Sequence, residues 1–206
     1  MAIQLERVSD DMAGLVETVR RSLVSIRNGR HGAGAGSIWH ADGLVLTNAH
    51  VVVGRSVRVT LADGRELAAR VLAREPDLDL AALAVEAGDL PALELGDSRQ
   101  LRPGPLVMAL GHPWGVEGSA SAGAVIGMGP APANFPASHR ECVVAGLRLR
   151  PGNSGGPLFD ARGRLIGINS MMTGPEVAMA IPVHAAKDFL QRALHADLGG
   201  QKGQAA

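Results

Sequence analysis

With a single cysteine, Cys142, the chain cannot form an internal disulfide, and its fold must hold on packing alone. Such a chain is compatible with a reducing compartment. Aromatic residues make up only 2% of the 206 residues and tyrosine is absent, so the core falls to Val, Leu, Ile, Ala and Met. Charge of either sign is not in excess: twenty basic and twenty acidic residues give a formal net charge of zero. A nucleic-acid or anionic-membrane partner would call for a basic surplus that is missing here. No segment approaches roughly 18 uninterrupted apolar residues, and Met1 to Arg7 lack a basic stretch followed by an apolar run. The expectation is a soluble, unexported, cytoplasmic protein with no membrane partner, or a periplasmic or secreted one if the N-terminus is already processed. His31, His40, His112, His139, His184 and His195 come without paired cysteines or an HExxH spacing, so no metal and no other cofactor is expected.

What is plentiful is glycine, 27 residues, in a chain that is 46% hydrophobic, the composition of short strands joined by tight turns. Residues 1–22 read as an N-terminal segment with a short helix, Ser9 as its N-cap and Met12, Leu15, Val16 and Val19 at helical spacing. Residues 23–105 and 106–181 read as two β halves separated by the Pro/Gly passage Leu101–Pro105. Asp63-Gly64 marks a hairpin in the first half. In the second half, Gly129–Ser138 is a proline-broken loop. Residues 182–206 form a final helix opened by Pro182 and ended at Gly199-Gly200, then a tail. Gly32–Gly36 looks like a nucleotide loop, but it lacks the last glycine and precedes a strand, so it is read as a strand-edge turn.

The densest chemical signal is Pro151-Gly152-Asn153-Ser154-Gly155-Gly156-Pro157. Glycines around a serine let backbone N–H groups converge on a substrate carbonyl, the setting an acyl-transfer nucleophile needs. Serine alone is a poor nucleophile and requires a base, and the base requires a group that fixes its tautomer. His50, at the end of a strand-like run, is the candidate base. Asp79, entering the apolar run Leu80–Val85, is the candidate orienting carboxylate, with Asp77 as its competitor. The order His, Asp, Ser is that of chymotrypsin-like double barrels rather than of subtilisins or α/β-hydrolases.

The runs TNAHVV (47–52), PDLDLAAL (76–83), LGDSRQLRPG (95–104), LGHPWG (110–115), GNSGGPL (152–158), GIN (167–169) and AIP (180–182) resemble, in order and spacing, the protease domain of HtrA/Deg proteins. The resemblance covers roughly residues 12–192. It implies an all-β, chymotrypsin-like double β-barrel with a short N-terminal and a C-terminal helix, and a cleft holding His50, Asp79 and Ser154. The Gly152-Asn153-Ser154 turn would form the oxyanion hole through the N–H groups of Gly152 and Ser154. Polypeptide substrates, unfolded or misfolded, would pair beside Gly167-Ile168-Asn169. Arg148, Leu149, Ile168 and Ala178 would shape the pocket for the side chain preceding the cleaved bond, with Arg148 turned outward and the pocket apolar and shallow.

The resemblance has limits. Family members carry a PDZ domain after the protease, and this chain is expected to be the protease domain without one. The family's trimer contact uses aromatic residues near the N-terminus, which residues 1–25 lack, so a homo-oligomer is without support there. Ahead of the nucleophile the family pattern is close to TDAAIN, whereas this chain reads AGLRLR (145–150). The rival reading is a catalytically silent HtrA-like module that binds unfolded segments along the same edge.

Overall fold

Runs of four to twelve residues rich in Val, Leu, Ile and Ala become the strands of two antiparallel barrels, several of them closed by Gly- or Asp-containing turns. The computed structural model describes residues 2–28, 33–54, 57–131 and 141–201. In the first barrel β1 (Leu23–Arg27), β2 (Ala33–His40), β3 (Leu44–Thr47), β4 (Val57–Thr60), β5 (Glu66–Glu75) and β6 (Leu80–Val85) close in the order β1-β2-β3-β6-β5-β4. The second contains β7 (Leu106–Gly111), β8 (Ser119–Pro130), β9 (Glu141–Gly146), β10 (Pro157–Asp160), β11 (Leu165–Gly174) and β12 (Val177–Pro182), in the order β10-β11-β12-β9-β8-β7. The expected all-β double barrel is the observed fold. Asp63-Gly64 turns β4 into β5, with Gly64 at a φ of 87° that side chains resist.

Helix α1 (Ala2–Arg20) is longer than expected, and Ser9 lies inside it rather than capping it. Its two halves differ. Met12, Leu15, Val16 and Val19 pack on the core, while Leu5 and Val8 stay exposed, so tertiary packing fixes only the second half. Helix α2 (Val183–Gln201) continues through Gly199-Gly200. A glycine costs a helix about 1 kcal/mol and does not by itself end one. The Gly32–Gly36 segment is no turn from Ala33 onward but the start of β2. Its glycines mark close approach: a Cβ on Gly34 would sit 2.6 Å from Val51 Cγ1, and one on Gly36 would sit 2.9 Å from Ile26 Cδ1. Of the loop expected over Gly129–Ser138, Gly129 and Pro130 close β8 against Cys142 and Glu141, and residues 132–138 lie outside the described residues.

Each barrel has its own aliphatic core, Val24, Ile26, Val45, Val59 and Leu83 in the first and Val107, Val143, Leu158 and Ile166 in the second. A further cluster joins them: Leu46 and Leu80 from the first barrel meet Leu110, Phe159 and Ile168 from the second, with Phe189 of α2. Cys142 belongs to it, and burial pushes its thiol up to about 11, so it stays protonated and inert. Phe159 is 0% exposed at the centre of this junction. Phe159→Ala is expected to lower unfolding stability by about 3–5 kcal/mol, measured by urea titration. A loss below about 1 kcal/mol would mean that the junction repacks around the cavity.

Candidate active site

Strand β3 runs into the Asn48-Ala49-His50 turn, which is tied down on both sides. Thr47 donates its hydroxyl to the Ala35 carbonyl at 2.7 Å, and the Asn48 amide donates to the Asp79 carbonyl at 3.0 Å. Asp79 ends the 3₁₀ turn Pro76–Leu78 in a left-handed conformation, φ 54° and ψ 39°, which Asp tolerates better than most residues. That conformation turns its carboxylate inward, where it is 2% exposed, whereas Asp77 on the same turn faces solvent. Geometry thus separates the two competing acids. The buried carboxylate accepts from the His50 backbone N–H at 3.1 Å, from His50 Nδ1 at 2.8 Å and from Ser170 Oγ at 2.7 Å. With Asp79 ionised, Nδ1 carries the proton, and Nε2 of the half-exposed imidazole is left as the basic nitrogen.

The turn that bears Ser154 is held at close quarters by backbone. Gly155 stands at φ 83°, where a Cβ would run into the Ala35 carbonyl, and Gly152 stands at φ 104°, where a Cβ would lie 2.5 Å from the His112 carbonyl oxygen. Ala35 N–H donates to the Ser154 carbonyl at 2.8 Å, and His112 N–H donates to the Gly152 carbonyl at 2.9 Å. Asn153 is spent inside the turn. Its N–H donates to Arg150 O at 2.9 Å, and its Oδ1 accepts the Arg150 N–H at 3.0 Å. Asn153, although part of the turn expected to form the oxyanion hole, thus gives it no donor, since a committed N–H cannot also hold an oxyanion. Among the described residues, the N–H groups of Gly152 and Ser154 donate to no protein acceptor.

Ser154 Oγ donates to the Ser170 carbonyl at 3.1 Å rather than to His50. Ser170 therefore links Ser154 to the Asp79 carboxylate, with its carbonyl on Ser154 and its hydroxyl on Asp79. Sequence reasoning passed over this residue. The available signal was a small polar side chain breaking the apolar run after Asn169.

Gly167, Ile168 and Asn169 cannot receive a substrate strand, and that expectation is corrected by register. Gly167 lies opposite Leu158 of β10 and Pro182 of β12, and Ile168 lies opposite Pro157 and Ile181, so both edges are taken. Asn169 instead braces the turn. Its N–H and carbonyl bond Gly156 and Gly155, and its amide donates to Leu110 O and Pro157 O. Beyond Ser170, β10 has ended, and among the described residues only β12 accompanies Met171–Gly174, which leaves that stretch with one edge open among them. Leu149 and Ala178 are buried together in the second barrel's core, while Arg148 faces outward and pairs with Glu176 at 3.1 Å. An exposed pair of this kind contributes at most about 1 kcal/mol.

A family model for the trypsin-like peptidase domain matches residues 34–168. The chain belongs to the trypsin-like peptidase domain family. Within this trypsin-like family it is similar to the serine protease HhoB of Synechocystis sp., 38% identical over 165 residues, 78% of this chain and 40% of that protein. It is also similar to a protein of Hahella chejuensis named a DegP-like periplasmic serine endoprotease, 40% identical over 165 residues, 77% of this chain and 35% of that one. It thus spans about 35–40% of the length of these curated relatives. Among solved structures, the HtrA-type protease AlgW with tripeptide superposes with a TM-score of 0.80 at 33% identity, covering 87% of this chain and 62% of that one. AlgW with decapeptide gives 0.81 at 27% identity, covering 89% and 67%. The relatives named periplasmic overturn the cytoplasmic placement expected from the first residues. One buried cysteine suits an oxidising compartment as well as a reducing one.

His112, whose backbone grips Gly152, has its ring largely buried near Arg20, Arg27, Glu117 and the Val24 carbonyl. Desolvation is the chief cause holding its pKa below the ordinary 6.5. The unfolded chain therefore binds more protons at this position just below pH 6.5. The stability this group contributes is complete above that value and falls away as the pH drops through the folded-state pKa. Replacing His112→Asn is expected to shrink the drop in melting temperature between about pH 7.5 and about pH 5.5. Thermal scans of both proteins check this, and an undiminished drop in the variant would contradict it.

Proposed function

We propose that this chain is the proteolytic unit of an HtrA-type serine endopeptidase that hydrolyses peptide bonds in polypeptide substrates by acyl transfer. The observation that carries the reading is the buried Asp79 carboxylate holding His50 Nδ1 at 2.8 Å while Ser170 ties the same carboxylate to Ser154. His50 Nε2 takes the Ser154 hydroxyl proton as Oγ bonds to the substrate carbonyl carbon. The resulting oxyanion lies against the unengaged N–H groups of Gly152 and Ser154, each donor of this kind being worth about 10² to 10³ in rate. As the C–N bond breaks, His50 returns the proton to the departing amine. Water then attacks the acyl-Ser154 ester with His50 again as base, releasing the acid and restoring the serine. Asp79 stays ionised throughout and stabilises the imidazolium.

The substrate would lie as an added antiparallel strand on the open edge of Met171–Gly174. The side chain before the scissile bond would then enter between that edge and Leu149, over Ala178. That pocket is apolar, with Arg148 turned out of it, so Ala, Val or Leu should be favoured there over Lys, Arg, Asp or Glu. The relatives' names point to the periplasm as the place of action, where unfolded polypeptides would be the substrates.

One observation favours the binding-module reading, namely that Ser154 Oγ rests on the Ser170 carbonyl rather than on His50. A fluorophosphonate label separates the two readings, because only a working His50–Ser154 pair with its oxyanion donors is attacked rapidly at a single serine. Rapid labelling at Ser154 is expected. Ser154→Ala is expected to reduce casein hydrolysis by about 10⁴-fold or more with the melting temperature nearly unchanged. Casein cleavage that survives in the purified variant would overturn the assignment, and dominant cuts after Asp or Glu would place Arg148 inside the pocket.

A further inference from the structure

Trp114 stands in a position that packing does not explain. Its backbone is at φ 54° and ψ 22°, the left-handed region that an aromatic residue rarely adopts, and its indole is 74% exposed. Over that indole lies the Arg150 guanidinium, 5.2 Å from the ring centre. Neighbouring Arg148 is taken by Glu176 at 3.1 Å, but exposed Arg150 pairs with no carboxylate among the described residues. Stacking engages the face of a guanidinium and leaves its N–H groups, which point outward in the plane, free to donate. Beside the stack opens a hollow of about 280 Å³, lined by Trp114, Val116, Ser119, Ser121, Arg150 and Asn153. Asn153 directly precedes Ser154, so the hollow adjoins the catalytic turn.

Topology fixes which side of a substrate meets this hollow. In the second barrel β10 lies between β11 and β7, and the turn that leads into β10 is gripped from both flanks. On the β11 flank Asn169 bonds Gly155 and Gly156, and on the β7 flank His112 N–H donates to the Gly152 carbonyl. A substrate strand laid antiparallel on Met171–Gly174 runs toward Ser170 and reaches Ser154 from the β11 flank. The residues after the scissile bond then depart over the β7 flank, where Trp114 comes two positions after His112. We propose that Arg150, seated on Trp114, binds a carboxylate carried by the substrate on the leaving side of the scissile bond, within roughly three residues of it, the reach of about 10 Å of extended chain. The proposal rests on the peptidase reading and adds a second point of selection, on the opposite side of the bond from the apolar pocket. The planar guanidinium, already held on the indole, has little freedom to lose when it donates to a carboxylate, which accepts through both oxygens. The carboxylate is supplied by an Asp or Glu side chain or by the end of a polypeptide.

The test compares kcat/KM for matched peptides that share one residue before the scissile bond and differ after it. One carries Glu with an amidated end, one carries Gln with an amidated end, and one carries Gln and ends in a free carboxylate at the same distance. Wild-type protein should cleave the better of the two carboxylate peptides about three- to ten-fold faster than the amidated Gln peptide, and which of them leads assigns the source to a side chain or to a chain end. This ratio should shrink toward one in about 0.5 M salt. Arg150→Gln should abolish it, and Trp114→Ala, which removes the seat, should lower it roughly two-fold or more. A ratio is the readout because damage to the turn that bears Ser154 slows all three peptides alike. Equal cleavage of the three peptides by wild-type protein would overturn the proposal, as would an Arg150→Gln or Trp114→Ala protein that keeps the full ratio. Should either variant not fold, the wild-type ratio and its decline with salt decide. Wild-type protein that cleaves none of the three in a Ser154-dependent way defeats the peptidase reading itself, an outcome distinct from cleavage without preference.

Discussion

The burial of one carboxylate organises the cleft. An ionised Asp79 taken out of water would cost several kcal/mol unless its oxygens were met by donors. Those donors come from both barrels: the backbone and ring of His50 follow β3 in the first, and the hydroxyl of Ser170 comes from β11 in the second. The carboxylate therefore pins the two barrels together at the point where the chemistry is needed. Asn48 reinforces the arrangement by donating to the Asp79 carbonyl, which fixes the backbone that presents the acid. Removing any one donor leaves part of a buried charge unmet, so each contact, that of the His50 ring included, is held by more than its own hydrogen bond.

Close backbone approach is the second constraint, and glycine is what permits it. The turn bearing Ser154 is wedged between β2 and the His112 segment, with carbonyls of Ala35 and His112 lying where side chains on Gly155 and Gly152 would go. The same crowding commits most of the turn's own polar groups. Arg150, Asn153, Gly155 and Gly156 satisfy one another or Asn169, and this leaves the N–H groups of Gly152 and Ser154 without an acceptor among the described residues. On the peptidase reading these two N–H groups would hold the oxyanion, being the donors that the packing of the turn does not consume.

Much of this was legible in the sequence, for identifiable reasons. Residue types with one dominant use, a glycine-flanked serine, an upstream histidine and an acid entering an apolar run, single out Ser154, His50 and Asp79 before any coordinates are known. Turn chemistry at Asp63-Gly64 and the short aliphatic runs specify strands. What sequence could not supply was adjacency. Whether Gly167–Asn169 offers a free edge depends on where β10 stops, and that is a property of a different segment. Ser170 escaped notice because its role lies in two hydrogen bonds to residues 16 and 91 positions away, which no local pattern encodes. The glycines of residues 32–36 suggested a turn, whereas Gly34 and Gly36 reflect close packing against Val51 and Ile26.

The resting position of Ser154 follows from the same geometry that would admit a substrate. Its hydroxyl occupies the Ser170 carbonyl, the first acceptor met at the end of β11's doubly paired stretch. On the peptidase reading, a strand added along Met171–Gly174 brings its own backbone N–H groups to that side of β11, since antiparallel pairing exchanges donors and acceptors along the edge. An N–H donated to the Ser170 carbonyl competes with the serine hydroxyl, and a rotation about the Ser154 Cα–Cβ bond then carries Oγ toward His50 Nε2. Ser170 does not move in this exchange, because its hydroxyl remains held by Asp79 at 2.7 Å. Substrate pairing and nucleophile orientation thus draw on one carbonyl, so that the serine is released toward its base when a chain lies along the edge.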